Sequence, residues 1–155
     1  MKIVIDSNIF ISSFFWGGNP NEVFEKVING FDELFITDEI IKEIISVMSD
    51  SKFTVNIADI EDYIKIIEKY SKNIESKNVS VFISRDQDDN KILQCAYDGN
   101  VDYIITGDKD LLVLKEYESI KIMNPKDYLE LIKHPTTTNK KKPPSQAAFF
   151  KPLTA

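Results

Sequence analysis

Five short apolar runs constrain this chain most: "KIVI" (2–5), "ELFI" (33–36), "NVSVFI" (78–83), "DYIIT" (102–106) and "SIKIM" (119–123). Runs this short and this rich in β-branched residues predict strands buried on both faces. Helical stretches separate them. Residues 8–15 and 21–28 predict two helices divided by "WGGNP" (16–20), and 37–48 a third, capped by Thr37 or Asp38 with acids in its first turn. Residues 58–74 predict an amphipathic helix with Ile60, Tyr63, Ile64 and Ile67 on one face. Further helices are predicted over 88–99, closed by Gly99, over 109–117, and over 125–133, which begins with proline in its first turn. Strands that alternate with helices give a mostly parallel sheet covered on both faces, an α/β chain in three layers, α/β/α.

One domain accommodates this pattern, since 155 residues suffice for a single sizeable core. We read residues 1–133 as the domain and 134–155 as a Pro/Lys-rich flexible tail, because from Pro135 the chain is Thr/Pro/Lys-rich and loses periodicity. The "AAFF" at 147–150 is oddly apolar for a solvated tail and leaves docking open. No apolar run approaches the roughly 20 residues of a membrane span. "MKIVIDSN" meets an acid too early for a signal peptide. A lone Cys95 cannot pair internally, so a reducing cytoplasm is the natural setting. With a single histidine, His134, a His/Cys metal cluster within one chain is excluded.

The net charge of −6 is unevenly spread. Residues 1–132 hold 14 basic against 25 acidic residues, a net of −11. Such a body repels polyanions, so nucleic-acid binding through a broadly basic surface is not expected.

The acids sit where such a sheet binds ligands, beyond the carboxyl ends of the strands. Asp6 follows "KIVI" directly, Asp108 follows "DYIIT" by one glycine, and Asp110 comes two residues later. Aspartates also cap helices, and helices begin near both places. Ser7 or Asn8 can supply the first cap, which leaves Asp6 less easily dismissed. In "SRDQDDNKIL" (84–93), a helix burying Ile92, Leu93, Cys95 and Ala96 places Asp89 inward at its first turn, with Asp88 toward the cap and Asp86 before the helix. Asp6, Asp89 and Asp108 converging without a cation would raise one another's pKa. A divalent ion resolves that conflict, and all-oxygen ligation selects Mg²⁺ or Mn²⁺. Such an ion polarises a phosphodiester and activates water.

"IVIDSNIFIS", "DEIIKEI", "RDQDDNKILQCA" and "DYIITGDKDLL", in this order and spacing, resemble the PIN-domain family, especially its toxin-like (VapC-like) members from toxin–antitoxin pairs. The resemblance spans nearly all of residues 1–131. It implies a parallel sheet of strand order 3-2-1-4-5 and a Mg²⁺- or Mn²⁺-dependent ribonuclease. The family's acids map onto Asp6, Glu43, Asp89 and Asp108, with Asp110 as an additional acid in the last turn. Ser7 keeps a hydroxyl where threonine is commoner, and Asn8 and Thr106 match supporting polar positions. Only the resemblance singles out Glu43, which by helix phase lies beyond the stripe of Ile40, Ile41, Ile44, Ile45, Val47 and Met48 and reads as a solvated residue. The resemblance also implies an RNA substrate, an antitoxin protein and a homodimer. Lys91 and Lys109 adjoin the proposed ligands and are the candidate RNA contacts.

Two other strand–Asp families fit less well. A haloacid-dehalogenase-like phosphatase needs a second Asp where this chain has Asn8, and a receiver needs an Asp where the third strand runs into Ser84 and Arg85. The alternative from another class is a non-catalytic PIN-like module that binds RNA or protein.

Overall fold

The computed structural model describes residues 1–76 and 87–133, with side chains from position 90 onward in the second span. Ile3, Val4 and Ile5 are buried on both sides in β1 (Lys2–Ile5), as a run without polar alternation requires. β1 pairs in parallel with β2 (Glu33–Ile36) on one side and β4 (Tyr103–Ile105) on the other, with Ile3 opposite Leu34 and Val4 opposite Ile104. β3 (Ser71–Asn73) extends the sheet beside β2, and β6 (Ile120–Met123) beside β4. β5 (Glu116–Tyr117) runs antiparallel along the outer side of β6. The order is β3-β2-β1-β4-β6-β5. The fold class is the expected one, but the order differs slightly from the expected 3-2-1-4-5: Ser71–Asn73, not 78–83, pairs beside β2, and a two-residue edge strand is added.

Two predicted elements change. The helix expected over 58–74 is α4 (Ile57–Lys69) and ends at Tyr70, after which Ser71–Asn73 become β3. "SKN" has no strand character of its own. Its backbone pairs because the edge of β2 offers unpaired groups, and polar side chains suit an edge. The predicted strand at 78–83 lies outside the described residues. The helix expected over 109–117 stops at α6 (Lys109–Leu112), and Lys115, Glu118 and Ser119 adopt positive φ as the chain turns into the β5–β6 hairpin. Apolar periodicity continues through "LLVLKEY", but hydrogen bonding to β6, including Ile122 N–H to the Lys115 carbonyl at 2.9 Å, overrides it.

Two helices lie between β1 and β2. α1 (Ser7–Trp16) and α2 (Gly18–Ile28) are divided at Gly17, whose φ of 71° and ψ of −126° favour a residue without Cβ. α3 (Asp38–Met48) is capped by the Thr37 hydroxyl, which accepts the Ile40 N–H at 3.3 Å. α5 (Gln87–Asp98) begins one residue earlier than predicted, so Asp88 is inside the helix rather than its cap. α7 (Pro125–Lys133) closes the domain as expected. α1 packs against α2 and α3, and α5 packs on β1 and β4. Ile60, Tyr63, Ile64 and Ile67 of α4 and Ile92, Leu93, Cys95 and Ala96 of α5 are all buried, as the periodicity predicts. Ile45, placed on the buried stripe of α3 by its phase, is instead 38% exposed. No helix among the described residues is long and apolar enough to cross a membrane.

Candidate active site

Each parallel strand ends its buried run at the same edge of the sheet, and the polar residues that follow are brought together there. Asp6 continues β1, its N–H donating to the Ile105 carbonyl at 2.9 Å, and so stays in register with β4. It is only 6% exposed. It occupies the N-cap position of α1 but makes no side-chain capping bond, so capping does not explain it. Its Oδ2 instead accepts the Thr106 hydroxyl at 2.7 Å. Burial pushes the Asp6 carboxyl up to about 6; the Thr106 hydroxyl opposes the shift, Glu43 and Asp108 add to it by repulsion, and the Ser7 N–H opposes it weakly. Of the three acids expected to repel one another, Asp108 adds to the Asp6 shift, and the Asp89 side chain lies outside the described residues. Desolvation, however, is the larger cause.

Thr106, fully buried at the end of β4, joins two acids. While its hydroxyl donates to Asp6, its oxygen accepts the Asp108 N–H at 3.0 Å. Asp108 is half-buried and does cap, its Oδ1 accepting the Asp110 N–H at 2.9 Å. Both readings of Asp108 therefore apply, since it caps α6 and still acts on Asp6. Asp110 is exposed and is not among the charges that shift Asp6.

Glu43 is not the solvated residue that helix phase gives. It is half-buried, and its Oε2 accepts the Ser7 hydroxyl at 2.6 Å. A single-helix stripe counts one packing partner, whereas α3 also packs along α1, which covers this flank. Ser7, buried at the first position of α1, is thus the holder of Glu43, a role its capping chemistry did not reveal. Asn8 is exposed, and no hydrogen bond joins it to these acids among the described residues. Asp89 lies in the first turn of α5, its side chain outside the described set, and Asp86 lies outside the described residues. Lys109 is exposed on α6 and Lys91 half-buried on α5. Cys95 is a core residue whose thiol burial pushes up to about 12, with Asp98 and Glu39 adding to the shift, far from a reactive thiolate.

The described donors are carboxylate, hydroxyl and backbone groups, an all-oxygen set that suits a hard divalent cation. Among the described residues alone, no three acidic, histidine or cysteine side chains stand close enough to grip an ion. The remaining acid of the sequence-based set, Asp89, stands in the first turn of α5.

The family model described as PIN domain matches residues 2–110. The uncharacterized protein MJ1680 of Methanocaldococcus jannaschii is 31% identical over 144 residues, an alignment covering 84% of this chain and 90% of that protein. A solved structure, VapBC2 from Rickettsia felis bound to a DNA fragment from their promoter, superposes with a TM-score of 0.59 at 14% identity. The superposition covers 80% of this chain and 98% of that one.

Proposed function

This chain belongs to the PIN domain family, and from that premise we propose that it is a Mg²⁺- or Mn²⁺-dependent ribonuclease, the toxin component of a toxin–antitoxin pair. The observation that carries the reading is Asp6: a buried carboxylate, its pKa raised to about 6, set against Glu43 and Asp108. A stable fold gains nothing from such an arrangement, and displaced pKa values of this kind cluster at functional sites.

Asp6, Glu43, Asp89 and Asp108 would hold the ion, with Asp110 available beside Asp108. When bound, the ion polarises the phosphodiester and lowers the pKa of water. The protein's own part is orientation. Thr106 fixes the Asp6 carboxylate and, through the Asp108 N–H, the start of α6. Ser7 fixes Glu43 across the gap between α1 and α3. Both hydroxyls are buried, so these bonds do not compete with bulk water. The strongly acidic body makes a bare RNA grip weak. Lys91 and Lys109 supply the local cations, and a homodimer would set two such rims along one groove. Likeness in fold to VapBC2 supports a protein partner of the antitoxin kind.

The test is cleavage of a mixed RNA pool by chelator-stripped protein before and after adding Mn²⁺ or Mg²⁺. Ion-dependent cutting that Asp6→Asn abolishes supports the proposal. Metal and RNA binding without cutting would make the chain a non-catalytic module instead.

A further inference from the structure

A second surface lies away from the acids. Between α3 and α4 runs a groove of about 380 Å³, lined by Ile45, Ile57, Ile60 and Ile64, with Glu61 and Glu68 on its rim. Ile60 and Ile64 belong to the core, but Ile57 is 70% and Ile45 38% exposed, so the groove presents apolar side chains to water at both lips. Glu43 meets Ser7 on another face of α3, which leaves this groove independent of the proposed catalytic site.

We propose that the groove is a docking site for this chain's own Phe149–Phe150 segment. Residues 134–155 contain a single adjacent aromatic pair, in "AAFFKPL", and four lysines with no acid. The rim offers Glu61 and Glu68 against one lysine, Lys65, so Lys151 beside the phenylalanines meets complementary charge. Reach is ample. At roughly 3.3 Å per residue the chain from Lys133 to Phe149 spans up to about 50 Å, against a domain radius of gyration of about 14 Å. Tethering makes weak contact sufficient, because a short linker holds its end at an effective concentration on the order of 1 mM. A segment with a dissociation constant of that size is docked about half the time. Its occupancy would shield Ile45 and Ile57 from other chains.

The experiment uses the full chain with methyl-labelled isoleucines, compared with the full-chain variant carrying Phe149→Ser and Phe150→Ser. Ring currents from docked phenylalanines are expected to displace the Ile45, Ile57 and Ile64 methyl resonances in the parent relative to the variant. Ile3 and Ile5, in the sheet, should be unmoved and report that both chains are folded. The displacement should persist on dilution, since the tether fixes the local concentration. Identical groove resonances in parent and variant would overturn the proposal. A displacement that fades on dilution would overturn it too, by placing a second copy in the groove.

Discussion

Replacing Asp6 with asparagine turns the buried carboxylate into a measurable quantity. Its pKa moves from 3.8 to about 6 on folding, and each pKa unit is worth about 1.36 kcal/mol, so the ionised form costs the folded chain about 3 kcal/mol. Between roughly pH 4 and pH 6 the folded chain keeps a proton that the unfolded chain has released. Stability therefore falls as pH rises through that window, with the loss complete above it and absent below it. Asparagine removes the charge, keeps an oxygen for the Thr106 hydroxyl, and turns its amide toward Glu43 and Asp108. In metal-free buffer near pH 7.5, Asp6→Asn is expected to exceed the parent by about 2–3 kcal/mol, roughly 6–9 °C in melting temperature for a chain this size. Near pH 4 the two should coincide within about 0.5 kcal/mol. Urea and thermal unfolding of both proteins across this range measure the gap directly. A gap that does not change with pH, or a parent more stable than the variant at neutral pH, would refute a buried ionised Asp6. Saturating Mn²⁺ should narrow the neutral-pH gap, because an ion bound only by the folded parent adds to its stability.

Asp89→Asn is expected to abolish ion-dependent cleavage, whereas Asp86→Asn should stay within a few-fold of the parent; the opposite pattern would show that the wrong aspartate had been chosen from the cluster. Ser7→Ala releases Glu43 and should lower the cleavage rate by about ten-fold or more, while unfolding measurements move by only about 1–3 kcal/mol, the range for one hydrogen bond to a charged group. Thr106→Val strips Asp6 of its hydroxyl donor and should raise the Asp6 pKa further, so that the upper limit of the pH window over which Asp6→Asn gains its stability advantage rises, its lower limit staying near pH 4, when both proteins carry Thr106→Val. Replacing Lys91 and Lys109 together with glutamate is expected to weaken RNA binding and flatten its dependence on salt, with metal affinity, read by titration calorimetry, nearly unchanged.

Much of this architecture follows from local pattern. The buried runs at Lys2–Ile5, Glu33–Ile36, Tyr103–Ile105 and Ile120–Met123 are strands because continuous β-branched residues have no polar face to show water. The faces of α4 and α5 are legible for the same kind of reason, their apolar residues recurring at helical spacing. Where pairing comes from the neighbour rather than the segment, pattern is silent. Ser71–Asn73 and Glu116–Tyr117 are strands only because β2 and β6 offer them free backbone edges.

The site divides along the same line. Order along the chain already placed Asp6 and Asp108 at strand ends and Asp89 at a helix start, since those positions depend on local boundaries. Glu43 did not follow from local phase. It joins the candidate site because α1 and α3 pack side by side, which lets the Ser7 hydroxyl of one helix reach the Glu43 carboxylate of the other at 2.6 Å. The buried setting of Asp6 is likewise tertiary: its pKa is set mainly by the desolvation that the surrounding strands and helices impose together. Sequence by itself determined which groups stand at the edge of the sheet; only the packed structure decided how far water is excluded from them, and desolvation and hydrogen bonding across elements turn a row of acids into a coupled set.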